Sequence, residues 1–393
     1  MKAVVTGMIA NYAVGGVAWD YAQYALALER LGFEVYYLED TGEMPYNPEK
    51  GDVSEDYSYS LKFLEESLGL MSPALARRWR VVGFDGRGYG VDAKEFADVL
   101  REAALFLNVS GSALMRDEYV ACRKKLIIDT DPGWNHFRNY PKWDASPGWQ
   151  GTHGWRAHDV FFTYAQRLGR PGCALPDFGI RWFPTVPPVV RDCWETPAAS
   201  GAGTEWTTIL SWNTYAKGIE GNGRTYGAKE LEFPKIERVP TRVPSARLAI
   251  SIASHNAPRD AWRAHGWHIR DAHADSATVA RYRDFITSSR GEISVAKNAY
   301  VDTRSGWFSC RSTCYLAAGR PTVVQDTGWT DFIPAGEGLL AFRDEAEAVA
   351  ALGEVERDYP RHARAAREVA KKYFDHAVVL GDMLEKADVP LPR

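Results

Sequence analysis

The chain has 393 residues, 45% hydrophobic and 25% charged; at roughly 150 residues per domain it is long enough for two or three buried cores. Lys plus Arg total 47 against 51 Asp plus Glu, and this net charge of −4 argues against a protein devoted to coating nucleic acid. No apolar run approaches a membrane span, and the opening residues lack a signal peptide's apolar stretch. Cys122, Cys173, Cys193, Cys310 and Cys314 are scattered with no CxxC. Neither a disulfide framework nor structural zinc is therefore expected, and the cytoplasm is the expected compartment.

Residues 2–9 read as a strand, and 11–16 as a loop carrying Gly15-Gly16. Val17, Tyr21, Tyr24 and Leu28 then recur at helical steps until Gly32. Residues 34–38 give a second strand, so the opening is a βαβ unit with parallel strands. Asp92 and Glu95 are spaced as a capping box before Phe96, Val99, Leu100 and Ala103. Apolar runs at 105–109, 126–128 and 160–163 complete an α/β domain over 1–190. The stretch 191–205, rich in Pro, Gly, Ala and Ser, reads as a linker. Runs at 207–211, 248–252, 267–269, 291–295 and 321–324 form a second α/β domain over 206–360. Helices are expected near 276–289, 309–318 and 344–357, and residues 361–393 read as one long terminal helix containing Tyr373, Val378, Leu380 and Leu384.

Residues 289–342 hold the strongest chemical signal. A strand ends near Ala296, a loop carries Arg304-Ser305-Gly306, and Ser309 can cap a helix that stops at Gly319. Free N–H groups and the dipole at such a helix start attract anions, and Arg304 and Arg311 flank it as potential diphosphate ligands. The plain alternative is a capping serine between surface arginines.

The order of this segment resembles the donor-binding half of GT-B glycosyltransferases, through Ala317-Ala-Gly-Arg-Pro-Thr-Val-Val324, Asp326-Thr-Gly328 and Glu337-Gly-Leu-Leu340. Gly15-Gly16 stands where that family has a glycine-rich turn on the acceptor side. The resemblance implies two Rossmann-like domains facing a central cleft, with the final helix returning to the first domain. It implies sugar transfer from a nucleotide-diphosphate sugar, a UDP-sugar foremost, to a hydroxyl or amine of a small molecule or a modified nucleobase. Neither a permanently bound cofactor nor a metal is expected. Lys217, Lys297, Arg304, Ser305, Gly306, Ser309, Arg311, Asp326, Thr327 and Gly328 are the implied donor contacts. The E-x7-E glutamates of retaining members are absent, their places taken by Gly306 and Cys314. Lys217 before Gly218 fits a diphosphate-contacting lysine of the family, although the arginine usual five residues earlier is Trp212. An epimerase or hydrolase on the same fold, or a non-catalytic nucleotide-sugar binder, remain alternatives.

Candidates for a general base are Asp129 and Asp131, at the expected cleft edge of the first sheet, Asp20 in the first helix, and His153 in a glycine-framed loop. The Asp-x-Asp spacing also matches a metal motif of another glycosyltransferase fold, and Asp131-Pro132 is a good turn starter. Trp134, Trp143, Trp149, Trp155 and Trp182 could stack a sugar or aglycone. The mixture of His, Arg and Trp over 255–273 could contact a nucleobase.

Overall fold

The computed structural model describes residues 1–146, 148, 150–195, 203–215 and 217–392. Residues 196–202 of the linker-like stretch, and Trp149, lie outside the described residues. In the first domain, β1 (Lys2–Thr6), β2 (Glu34–Glu39), β3 (Trp79–Val82), β4 (Gly88–Gly90), β5 (Ala103–Val109), β6 (Lys125–Asp129), β7 (Val160–Thr163) and β8 (Trp182–Pro184) form one sheet. Its order is β8-β7-β6-β5-β1-β2-β3-β4, parallel except for the β3–β4 pair.

The second sheet holds β9 (Glu205–Leu210), β10 (Arg247–Ile252), β11 (His268–Arg270), β12 (Gly291–Ser294), β13 (Thr322–Gln325) and β14 (Leu339–Phe342). Its order is β11-β10-β9-β12-β13-β14, all parallel. Both sheets are doubly wound, so their loops at the carboxyl ends of the strands are the natural place for ligands.

Helix α1 (Gly15–Arg30) is buried over almost its whole circumference, unlike the one-sided helix its periodicity predicts. One face covers the first sheet. The other meets α2 (Val279–Ser288) and, beyond the short α3 (Asn298–Asp302), α4 (Cys310–Ala317) of the second domain. Trp19 Nε1 donates to the Val279 carbonyl at 2.8 Å across this contact. Residues of both domains therefore share one apolar cluster, which includes Tyr24, Tyr282, Leu316 and Phe374. The expected terminal helix is interrupted. A helix over Tyr359–Val369 runs into a wide turn, and Asp375 caps a new helix, α5 (His376–Lys386), by accepting from Ala377 N. Asp375 also pairs with Arg191, and α5 packs on α1, so the chain end returns to the first domain. Val378, one of the apolar residues of the expected terminal helix, is half exposed, whereas Leu380 and Leu384 are buried.

Candidate functional site

A cavity of about 1000 Å³ opens at the carboxyl end of the first sheet. Met8 and Tyr12 after β1, Glu43 after β2, and Trp134 and Trp143 after β6 line it from the first domain, with Tyr215 and Lys297 from the second. The β1–α1 loop is held in place by Glu39, whose buried carboxylate accepts from Ala10 N at 2.7 Å, Asn11 N at 3.0 Å and the Tyr37 hydroxyl at 2.7 Å. Two stacks shape the wall: Trp134 lies on Tyr215 at 5.2 Å, and the Arg138 guanidinium covers Trp134 at 4.3 Å.

Asp131 lies on this wall and ties the domains together. Its carboxylate pairs with Lys297 and accepts from the Tyr300 hydroxyl at 2.6 Å and the Tyr215 hydroxyl at 2.9 Å, all from the second domain. Burial pushes its pKa up, but the Lys297 ammonium and the donated hydrogen bonds outweigh burial and hold the carboxyl below the usual range. Such a carboxylate is a poor proton acceptor near neutrality. Next to it, Trp307 Nε1 donates to the Thr130 carbonyl at 3.0 Å.

Asp129 does not reach the cleft. It is fully buried, and its oxygens accept from Asn135 at 2.7 Å, His136 at 3.0 Å and Thr163 at 2.7 Å. The strand ends at Asp129, which anchors the segment whose next turn, capped by Asp131, presents that second carboxylate. The two carboxylates face different partners and do not form a shared metal site. His153 pairs with Asp117 on an exposed loop and lies outside the cavity wall. Of the tryptophans, Trp134 and Trp143 face the cavity, whereas Trp155 is buried against Tyr140 at 4.1 Å and Trp182 packs onto the same cluster. In 255–273, Trp262 and Trp267 are core, while Arg263, His268 and Arg270 are paired with Asp260, Glu205 and Asp275. His255 and His273 of this stretch are exposed.

The segment expected to cradle the diphosphate is largely a domain contact. Ser305 is fully buried, its carbonyl accepting from Arg167 N at 2.9 Å. The Gly306 carbonyl accepts from Gln166 Nε2 at 2.8 Å, and a Cβ at Gly306 would come within 3.0 Å of Arg167 N. Asp326 closes a turn by accepting from Gly328 N at 2.8 Å, the Thr327 hydroxyl donates to the Trp307 carbonyl at 2.6 Å, and Gly328 (φ +98°) abuts Arg167. Arg304 is exposed at a positive φ of 48°, and Lys217 is exposed on the turn before a hairpin. Gly15 and Gly16 form no open loop either: a Cβ at Gly15 would collide with the Thr278 carbonyl, and one at Gly16 would lie 3.0 Å from Tyr282. Glycine is needed there for helix packing.

What the structure does gather is a cationic group at the start of α4. Ser309 occupies the cap position without a side-chain cap bond, and the buried Ser312 hydroxyl, facing the slot beside it, has no partner among the described residues. Arg311 pairs with the buried Glu292 at 2.7 Å and donates to the Ile209 carbonyl at 2.6 Å, which fixes it at the end of β9. Lys229, absent from every motif, joins this group. Its segment is fixed by Asn298, whose N–H donates to the Ala228 carbonyl at 3.0 Å, and by Glu232, which accepts from Asn298 Nδ2 and Gln325. Lys229 makes no ion pair among the described residues. Burial, then the charges of Arg311 and Lys297, push its ammonium well below its ordinary pKa. From the first domain, Asp20 on α1 reaches Cys310 at the first turn of α4. Burial pushes its carboxyl up to about 6, against the opposing hydrogen bond with Cys310. The slot itself is only about 20 Å³ in this closed arrangement.

No protein-family model matches the chain, and no curated protein matches it by sequence. Solved structures do match. HepE of Anabaena, in complex with UDP and glucose, superposes with a TM-score of 0.54 at 10% identity, covering 99% of both chains. AviGT4, a glycosyltransferase involved in avilamycin A biosynthesis, superposes with a TM-score of 0.52 at 14% identity, covering 95% of this chain and 89% of that one. These likenesses show the fold: the chain has the GT-B architecture.

Proposed function

We propose that this GT-B-fold chain is a glycosyltransferase that takes a sugar from a nucleotide-diphosphate donor, a UDP-sugar foremost, and passes it to an acceptor held in the 1000 Å³ cavity of the first domain. The observation that carries this reading is Lys229, beside the uncapped start of α4. It makes no ion pair among the described residues and is depressed first by burial and then by Arg311 and Lys297, opposed by Glu292, itself paired with Arg311, and by Cys310. That environment is built for an anion that is not part of the chain. The bound UDP and glucose of HepE agree with the donor class.

In this reading Lys229, Arg311 and the first N–H groups of α4 neutralise the leaving diphosphate, and Lys297 faces both this group and the acceptor cavity. Charge develops on the leaving group in the transition state, so donors already in place act without reorganising. Asp20 is the general base, because a carboxyl near 6 is ionised at neutral pH yet basic enough to take a hydroxyl proton. The slot is lined by second-domain residues alone, so donor entry requires its own walls to shift, and closure over the bound donor would exclude water from the activated sugar. A non-catalytic binder is favoured by one observation: Gly306 and Cys314 occupy the E-x7-E places and leave no glutamate there. Turnover of donor with acceptor separates the two readings.

Calorimetric titration with UDP tests the donor site. A diphosphate beside Lys229 raises its depressed pKa again, so binding takes up protons between the free and bound pKa values, seen as heat that varies with the buffer's ionisation enthalpy. Lys229→Gln is expected to weaken binding about tenfold and abolish the uptake. Binding that is indifferent to this substitution, or no binding of any nucleoside diphosphate, would remove the basis of the reading.

A further inference from the structure

We infer that the acceptor is an amphiphile, with a polar end that carries the reacting group and an uncharged apolar body; this rests on the transferase reading above. The acceptor cavity continues at Tyr12, Gly42 and Glu43 into a second groove of about 440 Å³, completed by Met44, Tyr46, Val53 and Phe84. Four of these side chains are large, apolar or aromatic, and open to solvent: Tyr12 is 43% exposed, Met44 38%, Val53 51% and Phe84 40%. A contiguous apolar surface of this kind is uncommon on a protein with nothing to bind there.

The groove is held in shape rather than left as loose loops. Residues 46–47 and 52–53 pair as a small hairpin, and Tyr46 N donates to the Asn11 carbonyl at 2.8 Å beside the Tyr12–Tyr46 bridge. The buried Tyr57 hydroxyl accepts from Phe84 N at 3.0 Å and donates to the Glu43 carbonyl at 3.3 Å, fixing both loops that form the rim.

Charge selects the occupant. The first cavity has Arg138, Lys142, Glu43 and the Asp131–Lys297 pair on its wall among aromatic rings, suited to hydroxyl-bearing groups. Around the apolar groove the exposed charges are mostly acidic, Glu49, Asp52, Glu55, Asp56 and Asp85 against Lys50 and Arg87. Such a rim repels a nucleic-acid backbone and an anionic membrane surface alike. It accepts the neutral body of a free molecule whose head reaches into the cavity.

Binding of methyl and octyl glucoside, as neutral probes with one head and different tails, tests this without requiring turnover. The wild-type protein is expected to bind octyl glucoside, below its micellar concentration, at least about tenfold tighter than methyl glucoside. The surface double substitution Met44→Ser with Phe84→Ser is expected to erase that preference and leave UDP binding unchanged. Equal binding of the two probes, or a preference that survives the substitution, would overturn the inference. So would association with phosphatidylcholine vesicles that disappears in the double variant, since that would make the patch a membrane contact. Loss of UDP binding in the wild type would instead count against the transferase reading.

Discussion

Replacing Asp20 by asparagine is expected to lower the transfer rate by about 10²–10⁴-fold, the usual worth of a positioned general base. The same change is expected to make the protein more stable at pH 7. The folded-state pKa of Asp20 is raised to about 6 by burial, above its unfolded value. Its contribution to stability is therefore fully present below about pH 4 and is lost as pH rises through about 6. At neutral pH the fold holds a buried carboxylate against a cost of up to roughly 3 kcal/mol, and the neutral amide of the variant escapes that cost. In the wild type, kcat/KM should climb with pH through about 6 and then level off. UDP binding should be no weaker in Asp20→Asn, because a negative charge at the start of α4 opposes a diphosphate. Near-normal turnover in the variant, or a profile flat between pH 5 and 7, would exclude Asp20 as the base.

Asp131→Ala is expected to act in the opposite sense. It leaves Lys297 and the hydroxyls of Tyr215 and Tyr300 without their shared acceptor, at a cost of about 2–3 kcal/mol for a partly buried pair. Those groups belong to the second domain, so the loss should appear as domain opening: a larger radius of gyration by small-angle scattering and an earlier first thermal transition. The pH dependence again follows from direction. The carboxyl of Asp131 is held below its ordinary range, so its stabilisation is present at neutral pH and is lost only as pH falls below about 4. Asp131→Asn keeps an acceptor for one tyrosine and should fall between wild type and alanine. Unchanged scattering and an unchanged transition in Asp131→Ala would show that the apolar interface alone holds the domains.

The two substitutions separate carboxylates that the sequence presented as equivalent candidates. Asp20, Asp129 and Asp131 all sit next to a first-domain strand or helix that is legible from its period. Only their neighbours distinguish them. Asp129 is hydrogen-bonded within its own domain by Asn135, His136 and Thr163, Asp131 is paired across to the opposite domain, and Asp20 keeps a raised pKa because burial outweighs its hydrogen bond with Cys310. Lys229 shows the same limit. No spacing marks it, and it becomes notable only because the end of β9 and the starts of α3 and α4 bring Arg311 and Lys297 near it. One missed element did carry a signal: Asn222-Gly223, both at positive φ, is the turn of the hairpin over Ile219–Gly221 and Arg224–Tyr226.

Local and periodic features follow from the order of residues alone. These are the βαβ opening, the parallel strands of both domains, the Asp92 cap that accepts from Lys94 N at 2.8 Å, and the helix start at Ser309. Each depends on residues within a few positions of one another, where propensity, capping and apolar period act. Other outcomes emerge only from packing: which face of α1 meets the second domain, that Ser305, Gly306 and Gly328 join the domains, and that a lysine outside every motif completes the cationic group at α4. Those outcomes depend on charges and surfaces brought together from distant parts of the chain, and desolvation with through-space electrostatics leaves no local pattern to read.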